Sequence, residues 1–269
     1  RFSEDIDLAI SHSFFSIEKT TKSQREKLRK MSRTYIHETL STQLDARLKE
    51  MGVSGYTIEN VSQVQDKNGE WKPIDSDKDP TVILIHYQSI LEDTINYIPP
   101  RVKIEISCLS MDEPTELRQI RSLIGESFDG EDADAESLVR TVVPTRTFLE
   151  KLFLLAEEFQ KEKPRSVRMS RHLYDLEKLM DTKYGEEALS NRKLYDAIVE
   201  HRRAYYALKY VNYDLHSPST ISFTIPESVI GAWQDDYADM RRFFIYGESM
   251  DFDALMHRIR ELQERVRNI

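Results

Sequence analysis

The chain opens with the segment Arg1-Phe2-Ser3-Glu4-Asp5-Ile6-Asp7-Leu8-Ala9-Ile10. The alternation of acidic and apolar residues in this segment predicts a β-strand, because residues i and i+2 of a strand point to the same side. Asp5 and Asp7 would share one face, roughly 6.5 to 7 Å apart along the strand. The opposite face would carry Phe2, Ile6, Leu8 and Ile10. Two carboxylates placed in this way can hold a pair of Mg²⁺ ions that clamp a triphosphate. The alternative is an edge strand that carries carboxylates only to stay soluble.

Composition narrows the class of protein. A chain of 269 residues with 39% hydrophobic and 32% charged residues predicts a soluble, globular protein with room for two domains. No apolar stretch approaches the roughly 18 residues that a membrane span needs, so we expect no membrane partner. The single cysteine, Cys108, excludes an internal disulfide and a cysteine-cluster zinc site, which favours the cytoplasm. The net charge of −9 argues against non-specific coating of nucleic acid, although a local basic groove stays compatible with it.

The first half of the chain predicts an α/β arrangement. Helical spacing runs from Thr20 to Glu50 and stops at Gly52. The strands expected after this helix are Tyr56–Gln65, Thr81–Ile90 and Arg101–Cys108.

An acidic stretch, Glu126–Glu136, separates this half from a helical half, and we interpret it as a surface loop. The helices expected beyond it are Thr147–Lys161, Ser170–Lys183, Asn191–Tyr210, Pro226–Phe244 and Asp251–Ile269. The sequence therefore predicts an α+β protein with an N-terminal α/β domain at 1–135 and a C-terminal helical domain at 136–269.

Glu105 is a candidate third carboxylate. In the predicted strand, Val102, Ile104 and Ile106 share one face, and Lys103, Glu105 and Ser107 share the other. If this strand lies beside the opening one, Glu105 joins Asp5 and Asp7 in a set of hard oxygen ligands that suits Mg²⁺. The alternative is an exposed strand position.

Lys151 falls inside an apolar helical stripe formed by Phe148, Leu152, Leu155 and Phe159. A lysine turned toward a core is costly unless an anion pairs with it. The functional interpretation is a positive charge on a nucleotide phosphate. The alternative is a side chain that reaches an edge and pairs with a carboxylate.

Two further groups of charged residues leave alternatives open. Arg171 and Asp175 are spaced i, i+4, which by itself predicts an ordinary intrahelical ion pair. A cluster of basic and aromatic residues could grip RNA, or could form one solvated and one packed helix face. Its members are Arg192, Lys193, His201, Arg202, Arg203, Tyr195, Tyr205 and Tyr206.

Several catalytic signatures are absent from the sequence. It has no Gly-rich Walker loop, no Gly-x-Ser-x-Gly elbow and no His-Glu-x-x-His. These absences argue against P-loop hydrolases, serine hydrolases and zinc proteases.

Five blocks, taken in order, resemble the AbiEii/AbiGii toxin family of polymerase-β-like nucleotidyltransferases. They are Phe2-Ser3-Glu4-Asp5-Ile6-Asp7-Leu8, Val102-Lys103-Ile104-Glu105-Ile106-Ser107, Arg146-Thr147-Phe148-Leu149-Glu150-Lys151-Leu152, Ser170-Arg171-His172-Leu173-Tyr174-Asp175-Leu176 and Asp236-Tyr237-Ala238-Asp239-Met240. The resemblance spans nearly the whole chain.

The resemblance implies an N-terminal nucleotidyltransferase domain, which is a mixed sheet with helices, and a C-terminal helical domain. It also implies the toxin of a bacterial toxin–antitoxin pair, with a cognate antitoxin as partner. Family members of known activity transfer a nucleoside monophosphate from a nucleoside triphosphate (NTP) to RNA, in particular the tRNA 3′ end, with Mg²⁺. It also implies site residues. Asp5 and Asp7 match the catalytic, metal-binding pair, with Glu105 as the third metal ligand. Lys151 matches the phosphate-binding lysine, with Arg171 beside the nucleotide, and Asp175 matches the catalytic aspartate of the helical half.

The family also carries a Gly-Gly or Gly-Ser turn about ten to fifteen residues before the Asp-x-Asp, where backbone N–H groups cradle the phosphates. The sequence starts too late to include this turn, and we expect it upstream. Two other functions stay open: nucleotidyl transfer to a protein, and a non-catalytic module that binds the antitoxin or RNA.

Overall fold

The structure, a computed structural model, describes residues 5–17, 21–66, 69–76, 78–90, 99–109, 115–128 and 136–269. The chain divides into two compact units, Arg1–Asp112 and Glu113–Ile269. The fold class is α+β with a mixed sheet, as predicted. No helix within the described ranges is long and apolar enough to cross a membrane.

The sheet of the first unit has four strands in the order β1-β6-β5-β2. Their bounds are β1 Asp5–Ala9, β2 Tyr56–Asn60, β5 Thr81–Tyr87 and β6 Arg101–Ser107, and a separate hairpin joins β3 Gln63–Gln65 to β4 Trp71–Pro73. β1 runs parallel to β6, whereas β5 is antiparallel to both of its neighbours, so the sheet is mixed.

One face of this sheet is covered by a long helical segment. It consists of α1 Lys22–Thr34, a π-helical turn at Tyr35–Leu40 and α2 Ser41–Glu50. A capping box between Thr21 and Gln24 satisfies the backbone donors at the start of α1. Gly52, at a φ of 76°, follows the end of α2 in a conformation that suits glycine.

The core of this unit joins the π-helical turn to the sheet. Its buried members are Ile36, Ile83, Ile104 and Ile106. The alternation along β6 explains why this side of the sheet is apolar. Ile104 and Ile106 lie on one face of the strand, and Lys103 and Glu105 lie on the other.

The first unit differs from the sequence prediction in several details, and β4 was not predicted. Tyr56–Gln65 is broken into β2 and β3, with Val61 and Ser62 outside either strand. Ile6 and Leu8 lie on the apolar face of β1 but are 48% and 43% exposed, because β1 is an edge strand of the sheet. Phe2 and Thr20 lie outside the described residues.

The second unit is mainly helical. It contains a hairpin of β7 Thr115–Arg121 and β8 Glu136–Val142, and seven α-helices within its described residues: α3 Leu123–Ser127, α4 Pro144–Glu158, α5 Ser170–Met180, α6 Lys183–Ser190, α7 Arg192–His201, α8 Ile230–Phe243 and α9 Phe252–Arg267. The five predicted helices are present with shifted ends. Asn191–Tyr210 is a helix only as far as Tyr206, and its last turn, Arg202–Tyr206, is π-helical.

The sequence pattern did not predict the hairpin of β7 and β8, or α3, or α6. β7 and β8 pair with each other, and both belong to the second unit. The units therefore divide after Asp112, earlier than the predicted domain limits of 1–135 and 136–269. Of the predicted loop, Glu126 and Ser127 end α3 and Glu136 begins β8, and residues 129–135 lie outside the described part.

Candidate active site

The strand register places three carboxylates on one face of the N-terminal sheet. Asp5 lies opposite Lys103, and Asp7 lies opposite Glu105, in the parallel pairing of β1 with β6. Residues opposite one another in register point to the same side of a sheet. Asp5, Asp7 and Glu105 therefore share one face, in the neighbouring arrangement expected from the sequence, and Lys103 lies on it too.

Lys103 lies among these carboxylates. Its Nζ is 2.8 Å from Glu105 Oε1 and 3.7 Å from Asp5 Oδ2. The side chains of Lys103, Glu105 and Asp5 are mostly shielded from solvent, so each ion pair is stronger than a fully exposed one. Sequence reasoning placed Lys103 on this face but assigned it no role. The signal was present in the strand itself, since a basic residue stands two positions before Glu105 and therefore on the same face.

The carboxylates suit Mg²⁺ by their chemistry, because this ion takes hard oxygen ligands. Two of the three carboxylates, Glu105 and Asp5, are however ion-paired with Lys103. In the described part of the chain, no group of three or more His, Cys, Asp or Glu side chains is placed to hold a metal ion. The residue types therefore fit a metal, whereas two of the three carboxylates are held by an ammonium group in this structure.

A fourth carboxylate, Asp79, is bound to the end of β6. Its Oδ2 accepts a 2.6 Å hydrogen bond from the Ser107 hydroxyl, and its Oδ1 accepts one of 3.0 Å from the backbone N–H of Cys108. These contacts fix the last residue of the strand that carries Lys103 and Glu105. Sequence reasoning missed Asp79, since it lies in a loop far from β6 along the chain. The Cys108 thiol is not a nucleophile at neutral pH, because burial, with Asp79 beside it, raises its pKa to about 12.

In the helical unit, Lys151 of α4 and Asp175 of α5 form an ion pair. Lys151 Nζ is 2.9 Å from Asp175 Oδ2. The stripe that flanks Lys151 packs as predicted, with Phe148, Leu152 and Leu155 fully buried. The ammonium thus satisfies the need for an anion with a carboxylate of the neighbouring helix, which is the contact that the alternative interpretation of Lys151 required.

The sequence spacing alone predicted that Asp175 pairs with Arg171, which precedes it by four residues on α5 and is half-buried. The structure shows that Asp175 also contacts Lys151 on another helix, so a pair within α5 does not account for all of its interactions. An ammonium has three N–H donors, and one donor used by Asp175 leaves two for other acceptors. The pair can therefore hold the Lys151 ammonium in place without exhausting its donors.

A buried charge network anchors α4 to the end of α7. Arg202 donates from Nε to Glu157 Oε1 at 2.7 Å and from its terminal nitrogens to Glu157 and Glu150. Arg146 donates to the other oxygen of Glu150 at 2.7 Å. Two arginines and two glutamates thus balance in charge, and the two carboxylates hold the pKa of Arg202 above its ordinary value even though burial opposes this. Arg202 is buried, so it belongs to the packed face of the predicted basic and aromatic cluster and not to an RNA-gripping one.

Asp236 of α8 caps the start of α5. Its carboxylate accepts hydrogen bonds from the backbone N–H groups of Arg168 and Ser170 and from the Ser170 hydroxyl. A carboxylate at a helix N-terminus satisfies donors that would otherwise lack partners and complements the helix dipole. The block Asp236–Met240 thus positions the helix that carries Arg171 and Asp175.

A family model for the nucleotidyl transferase AbiEii toxin of type IV toxin–antitoxin (TA) systems matches residues 1–258. The match covers nearly the whole chain and includes both the carboxylate face and the Lys151–Asp175 pair. The chain belongs to the AbiEii toxin family. Searches of curated proteins and of solved structures give no significant match.

Membership in the AbiEii family has direct consequences. The family consists of nucleotidyl transferase toxins of type IV toxin–antitoxin systems. A nucleoside triphosphate as substrate and a cognate antitoxin as partner follow from that description. The resemblance found in the sequence is thereby confirmed for the family and for its class of reaction.

Proposed function

We propose that this AbiEii-family protein transfers a nucleoside monophosphate from a nucleoside triphosphate to RNA, at the 3′ end of tRNA, with Mg²⁺. The observation that carries the proposal is the register of β1 and β6, which sets Asp7 beside Glu105 and brings Asp5 onto the same face. Family membership supplies the class of reaction.

In this proposal Asp5, Asp7 and Glu105 hold the metal. Bound Mg²⁺ would supply charge stabilisation at the reacting phosphate and alignment of the attacking hydroxyl. The chain contributes rigidity, because all three carboxylates project from paired strands of one sheet. Side chains on strands hold their geometry better than side chains on loops.

The helical unit contributes Lys151, Arg171 and Asp175. We assign the Lys151 ammonium and the Arg171 guanidinium to the phosphates of the nucleotide, where positive charge stabilises the transition state. Asp175 is the catalytic aspartate of this half, and its 2.9 Å contact also holds the Lys151 ammonium in position. We place the reaction in the cytoplasm, where nucleoside triphosphates and tRNA occur together.

The test is transfer of label from α-³²P nucleoside triphosphates to purified tRNA, with Mg²⁺ and with EDTA. Label should appear on tRNA only with the metal, and Asp7→Asn should lower the rate at least about a hundredfold. The matched control is Asp45→Asn in α2, since Asp45 also pairs with a lysine, Lys49 at 2.6 Å. This control should keep the wild-type rate.

The same assay separates the other two functions. Label on a protein band, with none on RNA, would replace the RNA acceptor with a protein acceptor. Binding of the antitoxin or tRNA without any transfer, across all four nucleoside triphosphates, would replace the enzyme with a binding module.

A further inference from the structure

We propose that Lys103 is a built-in counter-ion of the carboxylate face and competes with the metal for the same oxygens. The inference rests on the proposed function, in which Asp5, Asp7 and Glu105 hold Mg²⁺. It goes beyond that function by assigning a role to a residue outside the ligand set.

The competition follows from which atoms are in contact. The Lys103 ammonium lies 2.8 Å from Glu105 Oε1 and 3.7 Å from Asp5 Oδ2. A Mg²⁺ ion binds carboxylate oxygens at about 2.0 to 2.1 Å and would need such oxygens for itself. Two cations cannot occupy this space together without strong repulsion. The ammonium must therefore move away when the metal enters.

The neighbouring strands determine where the ammonium lies. Lys103 is on a central strand, with Asp5 opposite it on β1 and Leu84 opposite it on β5. Glu105 has Asp7 on the same β1 side and Val82 on the β5 side. Leu84 and Val82 are apolar and offer no acceptor. The ammonium therefore turns toward the carboxylates, and this choice is built into the sheet register.

As a consequence, the charge on this face is compensated both in the metal-free and in the metal-bound protein. Without metal, three carboxylates on one face repel one another, and Lys103 offsets part of that repulsion. With metal, the divalent charge takes over this role and the ammonium is released. Lys103 thus stabilises the metal-free protein and weakens metal binding by the same contacts.

The test uses Lys103→Met, which keeps most of the length of the side chain and removes its charge. In EDTA its melting temperature should fall by about 2 to 4 °C, the effect of losing a partly buried ion pair in a protein of this size. Its dissociation constant for Mn²⁺ alone, measured by electron paramagnetic resonance, should be at least about tenfold lower than that of the wild type. Added Mg²⁺ should therefore raise the melting temperature of the variant more than that of the wild type.

Three controls make the result specific. Lys103→Arg keeps the positive charge and should bind Mn²⁺ no better than the wild type. Lys72→Met removes another lysine of the same unit, which lies on the separate β3–β4 hairpin and pairs with Asp66 at 2.5 Å. This variant should leave Mn²⁺ binding unchanged. Asp7→Asn in the Lys103→Met background should abolish the gain in affinity, which places the bound metal on this face. If Lys103→Met folds poorly, Lys103→Gln serves for the same measurements.

The inference is overturned if Lys103→Met binds Mn²⁺ as weakly as the wild type, binds it more weakly, or binds none. It fails separately from the proposed function. Tighter Mn²⁺ binding without nucleotidyl transfer would retain the role of Lys103 and reject the enzyme. Transfer by the wild type, with unchanged Mn²⁺ binding in the variant, would retain the enzyme and reject the role of Lys103.

Discussion

Lys151 of α4 and Asp175 of α5 are joined by an ion pair of 2.9 Å, with side chains that are only 20% and 15% exposed. Family resemblance selected these two residues separately, one for the phosphate and one for catalysis. The structure brings them into contact, so the charge of each affects the other. Replacing either residue therefore tests the roles proposed for both.

For this pair we predict that Asp175→Asn lowers the rate of nucleotidyl transfer at least about a hundredfold, equivalent to roughly 2.7 kcal/mol of transition-state stabilisation. Asparagine keeps the shape and one acceptor for Lys151, so the free energy of unfolding should fall by only about 1 kcal/mol. Both quantities are to be measured on one preparation, by label transfer and by urea unfolding.

The matched control is Asp196→Asn on α7, since Asp196 forms an exposed i, i+4 pair with Arg192. It should change neither the rate nor the stability by a measurable amount. A stable Asp175→Asn protein with the wild-type rate would remove Asp175 from the active site.

The buried network around Arg202 leads to a prediction about stability. Arg202→Met leaves the Glu157 carboxylate buried without its partner, and this should cost about 3 to 5 kcal/mol in the free energy of unfolding. The added replacement Glu157→Leu removes the unpaired charge, so the double variant should be more stable than Arg202→Met alone. Urea unfolding of the single and double variants measures both effects.

Arg203→Met provides the comparison for Arg202, because Arg203 is exposed and pairs with Asp214 at the surface. Its effect should stay below about 1 kcal/mol. An equal loss in the free energy of unfolding for Arg202→Met and Arg203→Met would show that burial does not set how much the network contributes to stability.

His216 leads to a prediction about acid stability. Burial, followed by the nearby charges of Arg202 and Arg203, lowers its pKa from 6.5 to about 4. The folded protein keeps the ring neutral, whereas the unfolded chain binds a proton below pH 6.5. Stability should therefore fall as the pH drops from 6.5 toward 4 and level off below, by at most about 3 kcal/mol from this group.

His216→Phe should flatten this part of the stability profile, since phenylalanine fills the ring site between Phe153 and Tyr213 and has no proton to bind. Urea unfolding at pH 7 and at pH 4.5 measures the slope. His257→Phe on the exposed side of α9 is the control and should keep the wild-type slope. An identical slope in His216→Phe and the wild type would assign the acid sensitivity to other groups.

Short-range periodicity by itself determined much of the architecture. The alternation of strands β1 and β6 predicted the shared face of Asp5 and Asp7 and the opposed faces of Ile104 and Glu105, because a strand has a period of two whatever its neighbours are. The stripe of Phe148, Leu152 and Leu155 likewise predicted a buried face of α4. The hairpin of β7 and β8 was missed, because neither strand shows clean alternation and both remain largely exposed.

Pairings between distant segments were decided only by the tertiary structure. The sequence alone determined that Lys103 and Glu105 share a face, and also that Lys151 needs an anion. It could not determine that β1 lies parallel to β6 with Asp5 opposite Lys103, or that the anion for Lys151 is Asp175, or that Arg202 is buried against Glu157. Such contacts depend on which elements pack together and in what register, and that choice minimises the free energy of the whole chain, so no local pattern records it.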